Sequence, residues 1–260
     1  MIESQIIKRL KKAFKGQNDS VVSNETSKNK NGSIEKIGEY YMFVGNDNIL
    51  MARAQFGISQ PYDEQQKSGI MALYLQKSQI MNPQLEVWKP RPTDKIQGRI
   101  ISRGLRETLN LDKLYFGPGC VGSIDIDIEV YSRGSNMLNA GYQIALHAVK
   151  EMFKAMDPEG YRDSITPELY PVFQDKIRKY SATPSVMVTT YYVAGNIAVD
   201  IPYREMSRAT DAISWIFDSH GLIRTAVMHG EITGIDRKDF EAMCKLAQST
   251  AKSKIKSQIE

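Results

Sequence analysis

Residues 124 to 138 read Ile-Asp-Ile-Asp-Ile-Glu-Val-Tyr-Ser-Arg-Gly-Ser-Asn-Met-Leu, and no other stretch of the chain restricts its fold as tightly. Strict alternation puts Ile124, Ile126, Ile128 and Val130 on one face of a strand, with Asp125, Asp127 and Glu129 on the other. The strand is therefore half-buried. Ser132 to Asn136 supplies the breakers that end it. From Met137 onward Leu138, Ala145, Leu146, Val149, Met152 and Phe153 recur at helical spacing, so a core helix follows the strand after one polar turn.

Around this unit the other elements fall into order. Glu39 to Val44 and Ile49 to Phe56 are β-favouring runs separated by Gly45-Asn46-Asp47-Asn48, residues that tolerate a hairpin turn, so the two pair antiparallel. Lys67 to Gln79 reads as a third strand, and the prolines between Asn82 and Pro92 impose a loop. Thr93 to Leu111 turns helical, with Ile101, Leu105 and Leu109 on one face. After the central helix, residues 157 to 183 hold Pro158, Pro167, Pro171 and a helical stretch to Tyr180. Ser185 to Val193, Ile197 to Tyr203, Ala212 to Phe217 and Leu222 to His229 read as a meander of hairpins. Asp236 caps a last helix to Lys252, whose buried face is Phe240, Met243, Cys244, Leu246 and Ala247. The class is α+β or mixed α/β. A chain of 260 residues, 42% hydrophobic, buries one large core, so a single domain over 34–260 is expected.

Location of charge narrows the function classes. The net charge is +4, and Lys8, Arg9, Lys11, Lys12 and Lys15 against Glu3 account for all of it. Ile2, Ile6, Leu10 and Phe14 recur beside those cations, a short basic amphipathic helix able to touch a membrane surface, another subunit or RNA. With one arginine it would make a poor mitochondrial presequence. Residues 16 to 33 read as a flexible linker, and the fold is expected to begin near Gly38. No apolar run approaches the length of a membrane span, and none near the start resembles a secretory signal, so a soluble intracellular protein is expected. Cys120 and Cys244 stand far apart without clustered histidines, which supports neither a disulfide framework nor a zinc site.

Arg99, Arg103 and Arg106, at i, i+4 and i+7, form a stripe opposite the apolar face of their helix. Such a stripe either contacts a phosphate backbone or is a solvated face. Asp125, Asp127 and Glu129 have the oxygen-rich character of a Mg²⁺ site, but alternation in a half-exposed strand gives the same spacing without function, and no metal or other cofactor is assigned. His147 reads as a packed core residue, and His220 and His229 as surface turn residues. None has a Ser or Cys companion that would mark a nucleophile.

Arg99-Ile-Ile-Ser-Arg103-Gly-Leu-Arg106 is similar to the Arg-Leu-Ile-Gly-Arg-Ala-Leu-Arg helix of the RNase PH superfamily. Gly38, Gly45, Asn46, Ile49 and Leu50 match the spacing of that family's first hairpin. Ser185 to Asp200, Leu222 to His229 and Asp236-Arg-Lys-Asp-Phe-Glu resemble its second half. Over residues 34 to 253 the order of these pieces resembles the ring subunits of the RNA exosome. The resemblance implies an RNase PH-like fold (ribosomal protein S5 domain 2-like) of two βαβ-type halves with mixed sheets and core helices. It implies assembly into a six-membered ring around an RNA channel, beside other RNase PH-like subunits, S1/KH-type cap subunits and an associated ribonuclease. It also implies a place in RNA processing and decay, rRNA processing included, in nucleus and cytoplasm, and assigns Arg99, Arg103 and Arg106 to RNA.

Departures from the family pattern bear on catalysis. Active members follow the central strand with Asp-Gly-Gly-Thr-Arg-Thr, whose arginine and hydroxyls hold phosphate. This chain has Gly134, Ser135, Asn136, Met137, Leu138 and Asn139, and an aliphatic Leu138 makes no charge-assisted bond to phosphate. Arg133 and Ser135 are the candidates to compensate. At the acidic site the match falls on Glu205 and Met206, and a thioether cannot protonate a departing 3′-hydroxyl. Glu205 and Asp211 remain as reserve acids. The resemblance therefore implies a subunit without catalysis. The rival is an active phosphorolytic 3′–5′ exoribonuclease, and a third reading is a purely structural subunit without RNA contact. Residues 157 to 183 form a connection longer than the family's usual one, an insertion.

Overall fold

The computed structural model describes residues 32–45, 47–63, 67–78, 92–134, 136–199, 201, 203–206, 208–230 and 235–259. The basic segment 1–15, most of the linker, the proline loop before Pro92 and Ser135 lie outside them. Ten strands, in two sheets, and five helices are described.

The first sheet is built on the alternating segment, which forms β6 (Cys120–Ser132). β6 lies between β3 (Asn48–Ser59), antiparallel, and β4 (Ile70–Lys77), parallel, and the sheet runs β1-β2-β3-β6-β4 with β5 (Tyr115–Gly117) on β6. β2 (Tyr40–Gly45) and β3 make the expected hairpin. Asp47 in its turn has φ of 60°, the left-handed region that Asp tolerates better than most residues. Ahead of Gly38 the chain already forms β1 (Ser33–Ile37), whose mostly exposed Ser-Ile-Glu-Lys-Ile sequence hides it in a polar segment. Between β4 and β6 the chain crosses over through α1 (Pro92–Arg106), as parallel neighbours require.

The second sheet has the order β10-β9-β7-β8, from β7 (Ser185–Val193), β8 (Asn196–Val199), β9 (Ala209–Asp218) and β10 (Ile223–Gly230). It is two hairpins, not a simple meander, because β9 leaves β8 and pairs with the far side of β7. Burial explains the order. β7 is buried from Ser185 to Tyr191 and β9 from Asp211 to Asp218, on both faces, so each needs a strand on either side. β8 and β10 are partly exposed and belong at the edges.

Helices α1 and α2 (Met137–Ala155) lie between the sheets. Ile124, Ile126, Ile128 and Val130 from below, Ile101 and Leu105 of α1, Ile144, Ala145 and Val149 of α2, and Met187 and Ile216 from above share one core. The opposite face of β7 and β9, with Val186, Val188, Ile213, Trp215 and Phe217, packs on Met243, Ala247 and Ala251 of α5 (Arg237–Ile259). Four layers result, sheet, helices, sheet, helix. Gly104 lets α1 approach the second sheet, since a Cβ there would stand 3.0 Å from Ile216 Cγ1 and 3.1 Å from Met187 Cε. Tyr142 ties the layers together through Thr108 (3.2 Å) and Ser185 (2.6 Å), all three buried.

Asp236 caps α5, its Oδ1 accepting the Asp239 amide at 2.7 Å. Phe240, expected in the core, is 40% exposed and touches Trp215 with only its ring (5.4 Å between centroids). Cys244 and Leu246 are half-buried, and the helix continues past Lys252 to Ile259. Residues 157 to 183 fold into a 3-10 turn (Pro158–Ser164) and α3 (Tyr170–Arg178), whose Phe173 and Ile177 reach the main core. Among the described residues no helix is long and apolar enough to cross a membrane.

Candidate functional site

The turn after β6 is held from beneath. The Arg133 guanidinium donates to Asp94 in the first turn of α1, with side-chain exposures of 6% and 3%. Lys77 Nζ at the end of β4 stands 3.9 Å from the same carboxylate. The Gly134 amide donates to Asn48 Oδ1 at 2.9 Å. Arg133 therefore serves Asp94 and points its charge into the protein, which corrects its assignment to phosphate. Asn136 enters α2 with φ of 55°, and the Oδ1 atoms of Asn136 and Asn139 are buried without a hydrogen-bond partner.

Above this turn lies a cavity of about 190 Å³ between the start of α1, the start of α2 and the second sheet. Leu138 and Met206, the residues at the family's phosphate and acid positions, both line it, together with Asp211. Ile96, Ile100, Tyr191 and Ala212 complete apolar walls, and Thr93, Gln97 and His229 add polar groups. Leu138 is 2% exposed and Asp211 3%. Met206 closes α4 (Tyr203–Met206), and Glu205 beside it is exposed and not part of the lining. Of the reserve acids, the fold brings Asp211 into the cavity and leaves Glu205 outside.

His229 is not a turn residue. It lies on β10 opposite Ala212 of β9, half-buried, with Nε2 3.0 Å from Ser214 Oγ. Burial disfavours its charged form and lowers its pKa to about 4, so the imidazole is neutral at neutral pH. Ser214 in turn meets Thr189 Oγ1 at 2.9 Å. Both hydroxyls are fully buried behind the histidine, so the Ser–His pair is a structural bond and no nucleophile faces the cavity. Gln97 Oε1 lines the same cavity, buried and without a hydrogen-bond partner. Sequence reasoning missed Gln97, Tyr191 and His229 as neighbours, because they come from three separate elements and no spacing links them.

Arg99, Arg103 and Arg106 are all exposed on α1. Arg106 donates to the Met71 carbonyl of β4 at 3.1 Å, which commits part of its guanidinium to the sheet edge. Among the described residues Arg99 and Arg103 make no ion pair, and Glu107, four residues past Arg103, leaves it alone. None of the three lines the cavity. On β6, Asp127 pairs with Arg53 across the strands at 3.0 Å and Glu129 accepts from Tyr131 at 2.7 Å, so these acids bind protein neighbours. No cluster of three His, Cys, Asp or Glu able to hold a metal occurs among the described residues. His147 is half-buried on α2, edge-on to Tyr41 at 4.9 Å.

No family model matches the chain. Exosome complex component Rrp42 of Pyrococcus furiosus is 26% identical over 185 residues, 69% of this chain and 64% of that protein. The Thermoplasma acidophilum Rrp42 is 22% identical over 218 residues, 83% of this chain and 78% of its own length. Against solved structures, the Archaeoglobus fulgidus exosome with RNA bound to the active site superposes with TM-score 0.66 at 18% identity, covering 88% of this chain and 86% of the other. An archaeal exosome core subunit gives TM-score 0.62 at 15% identity, with both chains covered in full. The chain has the RNase PH-like fold of an exosome ring subunit. It spans a little under two thirds of the Pyrococcus furiosus relative, 64% of that length. In this RNase PH-like chain, the cavity sits where the two sheets and both core helices converge.

Proposed function

We propose that the chain is a catalytically silent subunit of an RNase PH-like ring that threads RNA in a 3′–5′ RNA-degrading complex. Its partners are other RNase PH-like subunits, with S1/KH-type caps and an associated ribonuclease, and its work lies in RNA processing and decay, rRNA included, in nucleus and cytoplasm. Relatives named as exosome components and the likeness to exosome core structures support the ring. One observation supports the silence: Leu138 and Met206 together line the cavity where phosphate and a proton donor are needed. Loss of either contribution costs ~10²-fold or more in rate. On the exposed helix face, Arg99 and Arg103, with part of Arg106, are the groups for RNA phosphates.

Asp211 favours the rival reading, an active phosphorolytic exoribonuclease, because its carboxylate is inside the cavity. The test is to incubate the pure chain, and the complex purified from its own cell, with RNA, Mg²⁺ and inorganic phosphate. The silent reading expects no nucleoside diphosphates from the chain alone and a native mass of several different subunits for the complex. Phosphate-dependent diphosphates abolished by Asp211→Asn would establish the enzyme instead.

A further inference from the structure

An uncharged site has formed where the family pattern calls for a charged one. Among the described residues the cavity lining holds no lysine or arginine, and the nearest arginine of the turn, Arg133, is sealed against Asp94. A phosphate dianion needs several donors and a positive field, and here it would face the Asp211 carboxylate and aliphatic Leu138. The polar groups that remain, the Gln97 amide, the Thr93 hydroxyl and the His229 imidazole, are neutral and both donate and accept. The buried Gln97 Oε1 has no hydrogen-bond partner within the protein, so it is an acceptor that a ligand N–H would satisfy. At about 190 Å³ the space is below the ~300 Å³ at which pockets for drug-sized molecules begin, so it takes one ring system and not a whole nucleotide.

We infer that this cavity is a subsite for a single unstacked nucleobase of an RNA strand, its edge hydrogen-bonded to the Gln97 side chain and its faces against Ile96, Ile100, Leu138, Tyr191 and Met206. Apolar walls with an amide at the edge are what a splayed-out base requires, since its faces are apolar and its edge is a row of neutral donors and acceptors. A glutamine amide can make two bonds to a base edge at once. The phosphate stays outside, where the exposed Arg99 and Arg103 lie on the same helix as Gln97. This inference rests on the RNA-threading reading for the source of the base, and on the lining alone for its chemistry.

The test titrates the full chain with the four ribonucleosides, their 5′-monophosphates and inorganic phosphate by ligand-observed NMR. At least one nucleoside binds, its monophosphate binds no more tightly, and inorganic phosphate does not compete. Gln97→Met, a near-isosteric change at a half-exposed position, weakens that nucleoside about tenfold while thermal unfolding is unchanged, the loss expected for one hydrogen bond. A short oligoribonucleotide displaces the bound nucleoside. Competition by inorganic phosphate, or binding of every nucleoside unaffected by Gln97→Met, overturns the proposal. So does the absence of nucleoside binding together with loss of subunit assembly in Met206→Trp, which would assign the cavity to a partner's side chain. Failure of the ring reading shows separately, as a native mass without other subunits.

Discussion

Replacing Asp94 with alanine removes the single carboxylate that faces Arg133 and Lys77 at the junction of α1, β4 and the turn into α2. The Asp94 and Arg133 side chains are 3% and 6% exposed, so water cannot reach the guanidinium once its partner is gone. Breaking one side of such a buried pair costs ~3–5 kcal/mol. In a domain of this size one kcal/mol moves the unfolding midpoint by about 2–4 °C, so Asp94→Ala should lower it by about 6–20 °C. Calorimetry and urea titration read the loss, with an unchanged m-value showing that the same surface unfolds. Asp94→Leu with Arg133→Met removes both charges, and most of the stability should return because a buried ion pair and an apolar pair of similar volume are often equivalent. A loss under ~1 kcal/mol for Asp94→Ala, or a double variant as unstable as the sum of its singles, would refute the coupling.

Three further outcomes are expected. Changing Arg99, Arg103 and Arg106 to Gln in the assembled ring should weaken RNA binding for every sequence and flatten its salt dependence, by about 0.7 in log–log slope for each phosphate left without its arginine. Because Arg106 already serves Met71, the drop should be nearer that of two arginines than of three, and an unchanged slope in filter binding would assign the stripe to a subunit interface. Tyr142→Phe leaves the Ser185 and Thr108 hydroxyls without their shared partner and should cost ~1–3 kcal/mol in urea titration, with no loss meaning the layers are held by packing alone. His229, at about 4 folded against about 6.5 unfolded, binds its proton more readily in the unfolded chain, so its burial should destabilise progressively as pH falls from about 6.5 to about 4, and His229→Gln should flatten the stability–pH curve in that window.

What the residues disclose by themselves is periodic. Ile124, Ile126, Ile128 and Val130 announce β6, and Ile101, Leu105 and Leu109 orient α1, because each set repeats at the spacing of its element and packs one face. The order of the second sheet is legible only in principle: Ser185 to Tyr191 has no solvent face, but an unbroken buried run marks a strand without saying which strands flank it. Ser33 to Ile37 escapes a reading of the sequence because an edge strand has little apolar pattern to show. The cavity is half legible: Leu138, Met206 and Asp211 come from the family resemblance, residue by residue. Gln97, Tyr191 and His229 follow no repeat, and Arg133 looks free in the sequence because its partner Asp94 lies on another element.

The changes at the site act in one direction. Leu138 and Met206 remove charge or acidity from the cavity, Asp94 draws Arg133 away from it, and burial keeps the His229 imidazole neutral. Each step lowers the cost of enclosing the cavity, because an unpaired charge in a poorly hydrated space costs several kcal/mol and a side chain such as leucine gains from burial there. None disturbs the layers, since the core on either side is built from the alternating strands and the α1–α2 pair, which contribute apolar faces whatever lies at the cavity. A fold can therefore retain its assembly surface and its exposed arginines while its chemistry is lost, and restoring one charge, as in Leu138→Arg, would place a guanidinium in a cavity whose acid position is still a methionine.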